Sequence, residues 1–236
     1  MRCVVALILG TSLSLSVRAD DKDGFVALFN GKDLTGWRIP DPPTGGLEKV
    51  TELKNDAGKL MGYKSKDKKS GKEWTIWEVK DGAIVGGGPF SHIFTEREDF
   101  ENFHLRLEVK INDKGNSGAF IRSGFRPNVP KGYEAQINAT HGDPIKTGSI
   151  YPNGEFGLDK LKKELCIMNK AAHKPDEFFT YDVIADGAKI TTLVNGVKQV
   201  EWTDPEHRFK KGAFALQGHD PGSIMTFRKV EVKEMK

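Results

Sequence analysis

Phe103-His104-Leu105-Arg106-Leu107-Glu108-Val109-Lys110-Ile111 alternates apolar and polar residues without a break. Successive side chains of a strand point to opposite faces. Phe103, Leu105, Leu107, Val109 and Ile111 therefore share one side and the four polar residues the other, which predicts a half-buried antiparallel strand. The same period of two continues downstream. Tyr181 to Ala185, Lys189 to Val194 and Val197 to Trp202 read as three strands joined by turns at Asp186-Gly187 and Asn195-Gly196, dipeptides that supply the positive φ angles of two-residue hairpins. A last strand is expected from Ile224 to Val232, and Phe25 to Trp37 and Trp74 to Val85 read as further elements of the same sandwich. No stretch sustains a helical period; the one candidate for a short helix is Leu158 to Asn169. Pro40 to Gly46 reads as a loop, and the five lysines between Lys64 and Lys72 as a solvated, mobile one. The pattern predicts an all-β fold of two packed antiparallel sheets.

On that scaffold, Gly132-Tyr133-Glu134-Ala135-Gln136-Ile137 sets Glu134 and Gln136 on one face and Ala135 and Ile137 on the other. Ala119-Phe120-Ile121-Arg122 closes an apolar run with a guanidinium, and in Phe214-Ala215-Leu216-Gln217-Gly218-His219 the residues Gln217 and His219 again stand two apart. A face that carries carboxylate, amides, guanidinium and imidazole suits a polyol or a sugar. A merely solvated sheet face is also polar, so each residue has a plainer reading. Glu134 and Arg122 can pair across strands, His219 can sit in the turn before Asp220-Pro221-Gly222, Asn116 can serve a tight turn, and Tyr151 can be strand-end packing.

The N-terminus has the order of a secretory signal: basic Arg2, an apolar stretch from Val4 to Leu15, then Val17-Arg18-Ala19. Cleavage near Ala19 is expected, giving an exported protein, periplasmic or extracellular, with residues 20–236 as a single domain. The apolar stretch is shorter than the roughly 20 residues of a spanning helix, and no later segment qualifies. Loss of Arg2 and Arg18 from 36 Lys+Arg leaves 34 against 33 Asp+Glu. That near-balance argues against a nucleic-acid partner, which needs clustered positive charge. Cys166 is then without an intramolecular partner, and its apolar setting in Leu165-Cys166-Ile167-Met168 predicts a buried thiol. The sequence leaves the oligomeric state open.

Seven blocks, in order, resemble the 3-keto-disaccharide hydrolase family, long known only as a domain of unknown function. They are Leu28-Phe29-Asn30-Gly31-Lys32-Asp33-Leu34-Thr35-Gly36-Trp37; Trp77-Glu78-Val79-Lys80-Asp81-Gly82; Gly115-Asn116-Ser117-Gly118-Ala119-Phe120-Ile121-Arg122; Gly132 to Ile137; Thr147-Gly148-Ser149-Ile150-Tyr151; Leu193-Val194-Asn195-Gly196; and Leu216-Gln217-Gly218-His219. The resemblance covers Phe25 to the C-terminus. It implies a concanavalin A-like jelly-roll sandwich of two antiparallel sheets with a concave face for a saccharide. The chain departs at Asp176-Glu177-Phe178-Phe179-Thr180-Tyr181, where the family has a Gly-Glu-Trp-Asn-like segment.

A ketone at C3 of a sugar acidifies the hydrogen on C2. A base can remove it, the enolate can expel the C1 oxygen, and water can add to the enone. This route needs a base and an enolate stabiliser, whereas ordinary glycosidases need two carboxyl groups roughly 5 to 9.5 Å apart. The sequence offers Glu134 without a second carboxylate on a matching strand, which favours elimination with Glu134 and His219 as base and acid in either order. Arg122 or a metal can stabilise the enolate, and Arg122, Gln136, Tyr151, Gln217 and Asn116 are the candidate substrate-binding residues. If displacement is the route instead, Asp143 and Glu155 are the next carboxylates to consider. No cofactor is firmly implied. A divalent metal stays open, with His141 and Asp143 as its candidate ligands, because no Cys pair or His-x-x-x-His spacing exists. The expected activity is cleavage of 3-keto-disaccharides or related 3-keto-glycosides; the alternative is a non-catalytic, lectin-like carbohydrate-binding module on the same fold.

Overall fold

The computed structural model describes residues 23–236. The expected signal segment and its cleavage point near Ala19 lie outside the described residues. Among these, no helix is long and apolar enough to cross a membrane. Ten strands form the larger sheet: β1 (Val26–Ala27), β3 (Thr51–Lys54), β4 (Leu60–Lys66), β5 (Glu73–Lys80), β6 (Ala83–Gly86), β8 (Phe103–Ile111), β11 (Phe179–Asp186), β12 (Lys189–Val194), β13 (Val197–Thr203) and β15 (Met225–Glu234). Five form the smaller: β2 (Trp37–Arg38), β7 (Ser91–Thr95), β9 (Ser117–Gly124), β10 (Lys131–Ile137) and β14 (Ala213–Gly218). The larger sheet runs β13-β12-β11-β8-β15-β6-β5-β4-β3, with β1 also on β15; the smaller runs β10-β9-β14-β7-β2. Every pairing is antiparallel.

Strand β8 has the boundaries its alternation predicts, and burial follows that alternation residue by residue. Phe103, Leu105, Leu107, Val109 and Ile111 are fully buried between the sheets. From the smaller sheet, Ala119, Ile121, Tyr133, Ala135, Ile137, Phe214 and Leu216 join the same core. Burying a side chain of this size stabilises by roughly 1.5–3 kcal/mol, so the two sheets hold together through these rows.

The Asn195-Gly196 hairpin is as expected: Val194 pairs with Val197, and both loop residues have positive φ, 50° and 76°. At the preceding hairpin Asp186 pairs with Lys189, so the loop is Gly187-Ala188, one residue later than expected, and Gly187 alone takes the positive φ. The last strand starts at Met225; Ile224 is left exposed.

Two expectations are corrected. The lysine-rich segment is a β-hairpin: Lys64 and Lys66 lie in β4, paired with Thr75 and Glu73 of β5, and Lys72 covers the Trp74 ring at 3.4 Å. Its charges alternate with buried or ring-packed neighbours, as a strand at a sheet margin allows. Leu158 to Asn169 is not one helix but a 3-10 turn, Asp159–Leu161, and a single α-turn, Lys162–Leu165, preceded by another 3-10 turn at Gly154–Phe156. Gly157 takes φ 69° between the two 3-10 turns, and Ile145 bridges Met168 after the α-turn, so no run is long enough to propagate. Cys166 is half-buried against the core, and burial pushes its thiol up to about 11.

Candidate active site on the outer face of the smaller sheet

The register sets the site. Glu134 pairs with Phe120, which pairs with Ala215, which pairs with Phe94; one row along, Gln217 pairs with His92 and Gln136 with Gly118. Their neighbours Ala135, Ile137, Ala119 and Leu216 point into the core, so these rows share the opposite face. A pocket of about 160 Å³ opens there. A cavity of roughly 150 Å³ holds one six-membered ring. Asn116, Glu134, Gln136, Gln217 and His219 supply its polar lining, Tyr151 and Asn153 one rim, and Phe90 and Val129 apolar walls.

Glu134 is buried, 8 % exposed. Burial pushes its carboxyl up to about 8, a hydrogen bond from Gln217 opposing and the charge of Asp143 adding. Space for the side chain comes from Gly118: a Cβ there would lie 2.8 Å from Glu134 Cγ and closer still to its Oε1. Gly118→Ala should therefore displace Glu134 with little harm to a strand, which favours Ala over Gly. We expect kcat to fall by roughly 10²-fold, the penalty of about 1 Å of misplacement, with Tm unchanged. Wild-type turnover in this variant would mean that the position of Glu134 does not matter.

His219 lies just past β14. Its Nδ1 is 2.8 Å from Asp220 Oδ2, which also accepts from Ser223 Oγ at 2.8 Å, while Asp220 Oδ1 accepts from Gly222 N. Burial acts to raise the Asp220 carboxyl, but the hydrogen bonds of His219, Ser223 and Gly222 N outweigh it and hold it below the usual range. An ionised Asp220 fixes the proton on Nδ1 and leaves Nε2 with a lone pair. The turn is thus the seat of a carboxylate–imidazole pair.

The segment after β10 completes the rim. Gln136 N donates to Ser149 O and Tyr151 N to Glu134 O, laying residues 149–151 along the edge of β10. Tyr151 Oη donates to Asp143 Oδ2 at 3.1 Å; burial and the charge of Asp143 push the phenol up to about 12. Buried Lys146 gathers the loop by donating from Nζ to the carbonyls of His141 and Asp143, both at 2.7 Å. Gln136 Oε1 accepts from Ile137 N, so its amide NH₂ is the end left for a ligand; Asn116 Oδ1 is buried with no partner.

Glu134, Gln136, Asn116, Gln217, Tyr151 and His219 are brought together as expected. Arg122 is not. It sits at a bulge with φ 50°, where the register of β9 shifts against both neighbours, and its guanidinium is buried on Glu101 O and Phe209 O at 2.6 and 3.1 Å. It ties loops together behind the sheet and forms no ion pair with Glu134. Glu155 is also outside the pocket, paired with Arg126 at 2.9 Å. Asp143 caps Ile145 N and binds Tyr151; among the described residues the cluster with metal-binding geometry is instead His141, His219 and Asp220, whose donor atoms lie within 4.8 Å of one another. Asp220, Phe90, Val129 and Asn153 escaped the sequence reading. Asp220 had a signal, its adjacency to His219; the others come from loops whose course no periodicity describes.

Comparison with known proteins identifies the family and the fold. The profile of the 3-keto-alpha-glucoside-1,2-lyase-like domain matches residues 24–233. A 3-keto-disaccharide hydrolase of Bacteroides thetaiotaomicron is 32% identical over 119 residues, 46% of this chain and 30% of that protein; the chain thus matches under a third of that relative's length. Among solved structures, a presumptive glycosyl hydrolase from Parabacteroides distasonis superposes with TM-score 0.62 at 21% identity, over 91% of this chain and 95% of the other. The catalytic domain of a laminarinase from Thermotoga petrophila superposes with TM-score 0.51 at 15% identity, over 86% and 93%. At these identities the structural likeness concerns the jelly-roll fold.

Proposed function

The chain belongs to the 3-keto-alpha-glucoside-1,2-lyase-like family, and from that premise we propose that it cleaves 3-keto-glycosides by elimination and rehydration, as an exported enzyme with its signal removed near Ala19. One observation carries the reading: a single pocket holds a carboxyl kept protonated by burial, Glu134, and an imidazole whose tautomer is fixed by Asp220, His219. Glu134 is therefore placed to give a proton and His219 Nε2, with its lone pair free, to take one.

His219 Nε2 takes the proton from C2, and the C–H electron pair moves into the C2–C3 bond as the C3 carbonyl becomes an enolate. The enolate oxygen accepts from the Gln136 amide, while Asn116 Oδ1, which can only accept, takes a sugar hydroxyl. The enolate re-forms the ketone and the C1–O bond breaks, Glu134 giving its proton to the leaving oxygen. Water then adds to C1 of the enone, Glu134 carboxylate removing its proton, and His219 returns a proton to C2. Both groups end as they began. Incubating the purified protein with a 3-keto-disaccharide and its unoxidised parent, and measuring released sugar, tests the proposal; tight binding of both without cleavage would favour the lectin-like alternative.

The cluster of His141, His219 and Asp220 favours a second reading, in which a divalent ion polarises the ketone. Against it, both oxygens of Asp220 are already engaged by His219, Ser223 and Gly222. The acid–base reading expects kcat to survive dialysis against EDTA. Complete loss, restored by Zn²⁺ or Mn²⁺, would install the metal reading and remove His219 as base.

A further inference from the structure

Behind the pocket lies a polar group that this chemistry leaves unused. His92, on β7, is 1 % exposed, and both its ring nitrogens are buried without a partner. It packs edge-on against Phe90 and Phe120, with ring centroids 4.9 and 5.2 Å away, and at a tilt against Phe94 at 6.3 Å. Burial, with the nearby His219 adding, pushes it down to about 3, so it is a neutral imidazole with one N–H donor and one acceptor. Its directly paired residue on β14 is Gln217. Paired strand residues have Cβ atoms about 4.5–5.5 Å apart, within reach of a side-chain hydrogen bond or of one bridging water.

Gln217 has the complementary vacancy. Its carboxamide hydrogen-bonds Glu134, and its Oε1 is buried with no partner. A buried carbonyl and a buried N–H left unpaired on neighbouring residues are each costly, and one water bridging them would satisfy both. A free carboxamide can also turn over and present oxygen to Glu134. We propose that His92 is a positioning residue: through one bridging water its N–H holds Gln217 Oε1, which fixes the Gln217 NH₂ on Glu134 and aims the carboxyl proton at the leaving oxygen. The proposal rests on Glu134 being the proton donor.

Phe is the discriminating replacement, because it keeps the aromatic packing and removes the N–H. His92→Phe should lower kcat by about tenfold or more on a 3-keto-disaccharide, whose alkoxide leaving group needs the proton. On a 3-keto-glycoside with a nitrophenolate leaving group, which departs without it, kcat should change less than about twofold. His92→Gln, which restores an N–H donor, should recover most of the loss. A structural defect would slow both substrates alike and would not be repaired by the less aromatic residue. Equal losses on the two substrates, or wild-type kcat in His92→Phe with an unchanged Tm, would overturn the proposal. Its failure is separable from that of the parent reading, since an inert Glu134→Gln beside an unaffected His92→Phe leaves Glu134 in place.

Discussion

Glu134→Gln should lose roughly 10²- to 10⁴-fold in kcat on a disaccharide while keeping the fold, the range a positioned proton donor contributes. Gln fills the same volume and can accept the Gln217 bond, but it has no proton to transfer. Measured as release of the leaving group in a single turnover, the loss should shrink as the leaving group improves, whereas His219→Ala, which removes the base, should fail on every substrate. Undiminished turnover of a disaccharide would remove Glu134 from the mechanism. The same variant has a stability signature. The folded-state carboxyl titrates near 8, above its ordinary 4.5, so its stabilising share is complete below about pH 4.5 and is lost as pH rises through about 8. Ionising it in place costs a few kcal/mol. The substituted amide carries no charge at any of these pH values, so the Tm of Glu134→Gln should match wild type near pH 5 and exceed it by several degrees near pH 9, which thermal melts across that range would check.

The ketone carries the second expected result. A 3-keto-disaccharide should be cleaved, and its 3-hydroxy parent should show no measurable release, because only the ketone makes the C2 hydrogen removable by an imidazole. In deuterated water the released 3-keto sugar should carry deuterium at C2, since His219 exchanges its proton with solvent before returning it. Direct displacement leaves C2–H untouched. Product that keeps its original C2 hydrogen, beyond exchange in a no-enzyme control, would exclude elimination. Of the two carboxylates the sequence offers for displacement, Asp143, bonded to the rim residue Tyr151, would then be tested first, because Glu155 is held on Arg126 outside the pocket.

Much of this was legible from local pattern. The alternation of Phe103 to Ile111, the Asn195-Gly196 turn and the split of Glu134 and Gln136 from Ala135 and Ile137 depend on neighbours in the chain, where the period of a strand and the φ demands of a turn operate directly. The same logic failed at Arg122, because a bulge interrupts the period and turns the side chain away from the face that alternation assigns it. It failed at Lys64 to Lys72 because composition reported charge while pairing with β5 decided structure.

By itself, then, the sequence determined which residues could share a face: an all-β chain with Glu134, Gln136, Gln217 and His219 on the outer side of their segments. Only the tertiary structure decided what that face does. Pairing β10, β9, β14 and β7 side by side set Glu134 over Gly118 and His92 beside Gln217, and loops from distant parts of the chain closed the pocket with Phe90, Val129 and Tyr151. The physical reason is that a carboxyl's proton affinity and an imidazole's tautomer depend on how much water is excluded and which partner is adjacent. Both quantities are fixed by strands far apart in sequence.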